Sequence, residues 1–484
     1  MRTSFGPLSI CAVRTSLANS LNLTVLPSIT TYPSLFSFSR TSTIGGPNTP
    51  SRSLNVALSL LRRYLSTSYL SLLTECVPVW LLISIPHVVT YLMRWGIFSR
   101  PVLEFSSGTA LDPLQAFKLG YGPFRSLPSL TMLCMVYRDL RSEFREFLRN
   151  LIEGVGVFGG LDKWFRCEVT VLDVLEFSSY GEAIELARSI HDVDLVLCTV
   201  PDEFTVQFSD DPYIPLKQVI ASHGIPSQMV THSTVKYLRS RGVVLANVAV
   251  GVFAKCGGIP WAVRSGLYGD LYIGFDVGGG VVSTVVYDRS SGCTEWFCRR
   301  SSLERIAPEV GDLVAEVLQD RYRGGLVVIH RDGPYHFTEV HSLRKVLRDL
   351  GIDRYVMVSV MKSVPIRLLN LMGGRTQQPW RGTWIRLGSS RVVVATLGIP
   401  DAEVTHLGAT PRPVVVEVVE PWSWEDVDVV ALSRDVYWLA QLHWGTCILR
   451  TKLPNTVLYP HRVTTFAKLG LGDVAIESRK LWFL

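Results

Sequence analysis

From about residue 126 the chain alternates short apolar runs with amphipathic stretches of helical period, and this order constrains the fold more than any other feature. Thr131–Tyr137 (TMLCMVY) and Asp194–Val200 (DLVLCTV) are near-continuous apolar runs, the pattern of strands buried on both faces. Glu168–Val174 is a third strand candidate, and Leu140–Glu153 and Glu182–His191 space their apolar residues as helices do. A further helix starts near Tyr213. The order strand–helix–strand–helix–strand argues a parallel, doubly wound sheet. A second unit begins near Leu267. Leu271–Val277 (LYIGFDV) and Val281–Asp288 (VVSTVVYD) are strands joined by a hairpin turn at Gly278-Gly279-Gly280, with Glu295–Arg299 as a candidate third strand. Pro308–Tyr322 reads as a helix, Leu326–Arg331 (LVVIHR) as a buried strand and Ser342–Leu350 as a helix.

With 484 residues, 47% apolar and 19% charged, the chain is neither wholly disordered nor a coiled coil, and it has room for about two to four domains. Its net charge of +6 is unevenly placed. Residues 1–92 hold six Arg, one Glu and no Asp or Lys, which leaves only +1 for residues 93–484. A nucleic-acid partner of the folded part must therefore be held by a local patch and not by bulk charge. The nine cysteines form no CxxC, and Cys134, Cys198 and Cys256 sit in apolar runs, as buried thiols in a reducing compartment do. Residues 1–92 form an atypical leader of poor periodicity, with the composition of a transit peptide. Cys76–Met93 is uncharged and just long enough to span a bilayer. Met93 is the first Met after Met1. The expectation is a cytoplasmic product starting at or near Met93, with a membrane anchor as the second reading.

Two constellations carry chemistry. In Tyr213-Ile-Pro-Leu-Lys217, Pro215 fits only the first turn of a helix, so the helix starts near Asp211 or Pro212. Tyr213 and Lys217 then share a face. A helix start favours an anion, Lys217 adds a full charge, and Tyr213 adds a hydroxyl and a ring on which a base could stack. By themselves these residues fit an ordinary solvated Lys and a packing Tyr better. Asp276 and Asp332 end two strands that are neighbours in a ribonuclease-H-like sheet, so the carboxylates meet at one edge. Such a pair can hold two divalent ions ~3.5–4 Å apart. Each Asp also fits a turn or cap, Asp332-Gly333 being a common turn pair.

The wider pattern resembles the Argonaute family. Tyr213–Val230 (YIPLKQVIASHGIPSQMV) and Asn247–Trp261 (NVAVGVFAKCGGIPW) look like its MID domain, and Tyr121-Gly122-Pro123-Phe124 like the segment leading into that domain. The resemblance implies a pocket for the 5′ phosphate and first base of a guide strand at Tyr213, Lys217, Gln228 and Lys255, with the terminal carboxylate of Leu484 tucked nearby. IGFDVG, HRDG and the Ser433–Ala467 stretch (WLAQLHWGT, LPNTVLYPHRVTTFA) resemble its PIWI domain. That implies Asp276, Asp332 and His461 as ligands of Mg²⁺ or Mn²⁺. Glu304 is the choice for the catalytic glutamate and Glu309 the fallback. The expected fold is α/β, a Rossmann-like MID domain (126–262) followed by a ribonuclease-H-like PIWI domain (263–484), with a lead-in segment over 93–125. This matches the short, prokaryotic form, with no room for the family's N and PAZ domains. It implies guide and target nucleic acid (RNA or DNA) as partners, a role in defence against invading nucleic acid, and guided cleavage by an endonuclease. Short members are usually inactive and act through a partner effector protein, or leave N/PAZ-like functions to a separate protein, yet the three metal ligands are retained here. The glycine run after Asp276 departs from the family's commonest pattern. That run, in Gly274–Gly280, also resembles the phosphate loop of actin-like sugar kinases, which makes an ATP-dependent phosphotransferase the alternative.

Overall fold

The computed structural model describes residues 94–202, 211–302, 305–372, 375–399, 410–448, 451–477 and 480–484. Before residue 94 it describes the backbone of short strands at Ile10–Thr15, Thr24–Val25, Val79–Ile83 and Val89–Met93. Glu304 lies outside the described residues. Within Cys76–Met93, Val79–Ile83 and Val89–Met93 pair antiparallel, in place of an apolar helix. Among the described residues no helix is long and apolar enough to cross a membrane.

The first sheet has four parallel strands, β1 (Ser129–Tyr137), β2 (Glu168–Phe177), β3 (Leu195–Val200) and β4 (Ser227–Thr231), in the order β4-β3-β1-β2. Parallel neighbours need crossovers, and α1 (Arg141–Glu153), α2 (Tyr180–Ala187) and α3 (Tyr213–Ser222) supply them. Helix α2 begins before Glu182 because the Ser179 hydroxyl accepts from the Glu182 N–H while the Glu182 carboxylate accepts from Ser178 N–H, so the cap fixes the start. The following helix α4 (Gly242–Lys255) is apolar nearly all round and is buried accordingly.

The second sheet has nine strands. Six are β5 (Leu271–Gly278), β6 (Val281–Asp288), β7 (Cys293–Arg300), β8 (Val327–Asp332), β9 (Tyr355–Met361) and β10 (Val414–Pro421). The order is β7-β6-β5-β8-β9-β10, continued by Arg391–Val394, Thr383–Arg386 and Trp95–Ile97. β5 pairs parallel with β8 and β8 with β9, while β6 pairs antiparallel with β5, β7 with β6 and β10 with β9, which is the ribonuclease-H-like arrangement. The lead-in strand Trp95–Ile97 closes the far edge of this sheet, although it precedes the first one in sequence. Side-chain alternation divides the sheet's two faces. Ile273, Phe275, Val327 and Ile329 pack with residues of α5 (Ile306–Arg321) and α6 (Phe337–Asp349). Tyr272 and Val328 share the opposite core with Val457, Tyr459 and Val463 of α7 (Asn455–Phe466). Helix α6 starts at Phe337, five residues earlier than its apolar spacing suggests, because His336 and Glu339 form a reciprocal cap.

Helix α7 sits unusually close to the sheet. A Cβ on Gly274 would stand 1.6 Å from the carbonyl oxygen of Thr456, so only glycine lets the helix backbone approach β5. The β5–β6 turn needs positive φ at Gly279 (+62°) and Gly280 (+75°), the geometry of a two-residue hairpin.

Candidate functional site

The parallel pairing of β5 with β8 runs from Leu271 opposite Val327 to Phe275 opposite Arg331, so Asp276 and Asp332 leave adjacent strands at the same edge. Both follow the alternation that points Gly274 and His330 at α7, and His330 Nδ1 meets the Thr456 hydroxyl at 2.8 Å. One turn further along α7 stands His461. Its Nδ1 lies 3.3 Å from Asp276 Oδ2 and 3.2 Å from Asp332 Oδ2. The Thr464 hydroxyl, one turn beyond, donates to Asp276 Oδ2 at 2.7 Å. Asp276, Asp332 and His461 each offer a ligand atom, and the three atoms lie within 4.8 Å of one another.

Two cations that the sequence reading passed over complete this cluster. Arg331 faces the other side of the sheet, where its Nε meets both oxygens of buried Glu339 at 3.3 Å, but its Nη1 reaches Asp276 Oδ1 at 3.2 Å. Lys362 follows β9, and its Nζ donates to Asp332 Oδ2 at 2.5 Å and lies 3.2 Å from His461 Nδ1. Bonds to Asp276 and Asp332 raise the His461 pKa to about 9, against burial and the charge of Lys362. When His461 is protonated its Nδ1 donates to the two carboxylates, and the Lys362 approach is then one of like charges. Burial pushes the Asp276 carboxyl up, but bonds from His461, Thr464 and the Val277 N–H, with the charge of Arg331, hold it below the usual range. Two carboxylates and an imidazole form a mainly oxygen donor set, which suits Mg²⁺ or Mn²⁺ better than a thiolate-seeking metal. Glu309 is drawn instead to Arg299 (3.9 Å) and Arg305 (3.5 Å) and is no part of the cluster.

The second cluster lies where the first sheet's helices meet the chain's last residues. Helix α3 starts at Tyr213, and Lys217 lies one turn on. Gln228 is on β4 and Lys255 ends α4. Lys255 Nζ donates to the Ser227 carbonyl at 2.9 Å and to Gln228 Oε1 at 2.8 Å. Lys217 Nζ sits 5.5–5.8 Å from the ring centroids of Tyr213, Phe466 and Trp482, a cage in which two of three rings come from the far end of the chain. Arg462, the residue after His461, approaches the same place and reaches the Phe483 carbonyl at 3.5 Å. Trp482 and Phe483 are buried, and Leu484 packs partly buried behind them. Burial, then the charge of Arg462, lowers the Lys217 pKa to about 7. Burial, then Lys217 and Arg462, pushes Lys255 far below the lysine range. Among the described residues none of these three cations is paired with a carboxylate. Buried amines that resist charging for want of a counter-ion, beside an always-charged guanidinium, make a site for an anion, which restores their charge.

The sequence reading named Tyr213, Lys217, Gln228 and Lys255, and the structure brings them together. It missed Arg462, Phe466, Lys362 and Arg331. Arg331 and Arg462 carried a signal, each standing beside a named site residue, Asp332 and His461. The kinase alternative is not supported. A Cβ on Gly279 would meet the Lys468 backbone nitrogen at 2.6 Å, so the turn is packed under the end of the C-terminal helix and is not an open phosphate loop.

A ribonuclease-H-like sheet with an Asp–Asp–His cluster at the ends of its central strands, joined to a Rossmann-like sheet with a caged cation pocket, defines the class. The Piwi domain family matches residues 197–470, more than half of the chain, and the chain belongs to that family as an Argonaute-type protein. It is 24% identical over 376 residues to the protein argonaute of Aquifex aeolicus (strain VF5), covering 72% of this chain and 49% of that protein. To the Piwi-like protein Siwi of Bombyx mori it is 22% identical, covering 81% and 47%. The chain thus spans about half the length of the curated relatives it matches. Among solved structures, Clostridium butyricum Argonaute bound to a guide DNA and a 19-mer target DNA superposes with a TM-score of 0.65 at 20% identity, over 81% of this chain and 55% of that one.

Proposed function

We propose that the chain binds the 5′-phosphorylated end of a short guide strand and uses that strand to recognise complementary nucleic acid. The observation that carries this is the shared helix: α7 gives His461 to the carboxylate cluster and Arg462 and Phe466 to the caged cation pocket. A pocket for a terminal phosphate and a cluster suited to divalent metal are thereby held in fixed relation. Lys217, Lys255 and Arg462 supply charge to the phosphate, Gln228 a hydrogen bond and Tyr213 a stacking surface, with the Leu484 carboxylate close by. Arg412, Arg367 and Lys362 each bear on the charge of Lys452, and Lys362 itself touches Asp332, a positive surface that suits the backbone of a paired strand. The binding of guide and target DNA by Clostridium butyricum Argonaute supports the same reading. MID-type and PIWI-type units over 126–262 and 263–484, a cytoplasmic setting, a role in defence and a partner effector belong to this proposal.

Asp276, Asp332 and His461 would hold Mg²⁺ or Mn²⁺, which supplies an activated water and stabilises the leaving oxygen in phosphodiester cleavage. Bonds from His461 and Thr464, with the nearby charge of Arg331, favour the ionised form of Asp276, and Thr464 orients it. Glu304 remains the proposed fourth acidic residue. The test uses 5′-phosphorylated and 5′-hydroxyl guides of both DNA and RNA, a labelled complementary target and Mn²⁺. A preference for the phosphate, together with a single guide-positioned cut abolished in Asp332→Asn while guide binding persists, is the expected result. Equal affinity for both guide ends defeats the pocket reading. Tight binding without a cut restricts the function to recognition.

A further inference from the structure

We propose that Lys362 is a built-in counter-cation of the Asp276–Asp332–His461 cluster, one that a divalent metal must displace and that a bound strand draws away. This rests on the reading of that cluster as a metal site. Lys362 follows the last residue of β9, two positions past Val360, which pairs with Asp332, so the end of the strand carries it toward the carboxylate. Its ammonium contacts Asp332 Oδ2 at 2.5 Å and approaches His461 Nδ1 at 3.2 Å. Those are the atoms through which Asp332 and His461 face one another, at 3.2 Å. A dication bridging them and the ammonium would lie within a few ångströms of each other, and their repulsion is scarcely screened at such range.

The two cations of the cluster differ in freedom. Arg331 is pinned between Asp276 and both oxygens of Glu339, with its side chain only 10% exposed. The Lys362 side chain is 29% exposed and, among the described residues, has a single carboxylate partner. Lys452 donates to the Lys362 carbonyl. Burial and then the charges of Arg412, Arg367 and Lys362 depress the Lys452 pKa to about 8, so each of these cations stands near Lys452. A phosphodiester backbone lying against them offers the Lys362 ammonium a second anionic partner. Once Lys362 moves to it, Asp332 regains its full charge for a metal. Metal affinity would then depend on strand occupancy, and the empty protein would hold its metal weakly.

The experiment is calorimetric titration of MnCl₂ into the full chain, with and without a 5′-phosphorylated single strand, with Asp332→Asn setting the background of metal held by the strand. Lys362→Met should tighten Mn²⁺ binding at least tenfold in the absence of a strand, and Lys362→Arg should behave as wild type. The strand should tighten Mn²⁺ binding to wild type but not to Lys362→Met. Circular dichroism melts of each variant check that the fold is kept, and Lys362→Gln repeats the charge removal with a polar side chain. Unchanged or weaker Mn²⁺ binding in both neutral variants, or a strand that leaves the wild-type affinity unaltered, overturns the proposal. Mn²⁺ binding lost in Asp332→Asn but unaltered in Lys362→Met overturns the role of Lys362 alone. Mn²⁺ binding that survives Asp332→Asn overturns the metal reading with it.

Discussion

Gly274→Ala is the smallest change that tests how the site is assembled. Gly274 has no positive φ to maintain, so backbone freedom does not explain it. Its role is spacing. An added Cβ would lie 1.6 Å from Thr456 O, 2.4 Å from Thr456 C and 2.9 Å from Thr456 Cβ, where ordinary contact begins near 3.4 Å. Strand β5 is hydrogen-bonded on both sides, to β6 and β8, so it cannot yield. Helix α7 must therefore retreat by roughly 2 Å, the gap between the clash and ordinary contact. Overpacking costs about 1–3 kcal/mol when side chains can adjust. Here the obstacle is backbone, so the upper end applies. The retreat also stretches the 2.8 Å His330–Thr456 and 2.7 Å Thr464–Asp276 bonds, each worth about 1 kcal/mol. A total of about 3–5 kcal/mol is expected, large for one methyl group.

The same retreat carries His461 out of reach of both carboxylates, so Mn²⁺ binding should fall together with stability. Urea unfolding followed by fluorescence and Mn²⁺ titration give the two readouts, with Gly280→Ala as the control. Nothing lies within 4 Å of a Cβ at Gly280, but its φ of +75° is costly for alanine, by about 1–2 kcal/mol, and the metal cluster should be untouched. The reasoning is refuted if Gly274→Ala unfolds within about 1 kcal/mol of wild type and still binds Mn²⁺ normally.

The remaining expectations concern pH. His461 has its pKa raised from 6.5 to about 9 by Asp276 and Asp332, so its stabilising contribution is fully present below about 6.5 and is lost as pH rises through about 9. The stability deficit of His461→Gln, measured by urea unfolding, should accordingly be constant at mildly acidic pH and vanish above about 9. Because 39% of that side chain is exposed, solvent screening keeps the deficit to a fraction of the roughly 1.36 kcal/mol per pKa unit that full coupling implies. Lys217 is charged only below about 7 in the empty pocket. Affinity for a 5′-phosphorylated strand should decline as pH rises beyond that value in wild type and stay flat in Lys217→Met, with a loss of about 1.5–3 kcal/mol at neutral pH. A parallel decline in both proteins, measured by fluorescence anisotropy, counts against Lys217 as the phosphate's charge partner.

Much of the first sheet was legible because each strand is a bounded apolar run and each helix an amphipathic one. Ser129–Tyr137 and Leu195–Val200 match their sequence readings to within two residues. Helix starts were misjudged where a cap decides them: Ser179 and His336 extend α2 and α6 toward the N-terminus, and apolar spacing does not register a cap. The far half of the second sheet, from Tyr355–Met361 through Val414–Pro421, was not read, since it depends on long-range pairing that includes a strand from residues 95–97. Asp276 and Asp332 were found at the ends of strands within motifs, and His461 within a stretch that resembles a family segment. Lys362 has no motif at all. Its importance arises from the parallel register of β8 and β9, which sets Val360 opposite Asp332 and so leaves Lys362, two positions on, within reach of that carboxylate. The cage around Lys217 was illegible for the same reason: Tyr213 and Trp482 are far apart in sequence, and only the closed fold brings their rings to one ammonium.

The adjacency of His461 and Arg462 has a mechanical consequence. Successive helical residues point about 100° apart, so one helix can address two sites that lie in different directions. His461 turns toward the sheet edge and Arg462 toward the buried C-terminal aromatics. Phe466, one turn on from Arg462, forms a wall of the cage around Lys217, while Thr464 between them bonds Asp276. No hinge separates these contacts, because Asn455–Phe466 is one continuous helix despite Pro460 within it. A displacement of α7 must therefore reach both clusters together, whereas a change in the charge of Lys362 acts on the carboxylate cluster alone. Gly274→Ala should for this reason weaken phosphate binding and metal binding in the same variant, and Lys362→Met should alter metal binding while leaving the preference for a 5′ phosphate where it was.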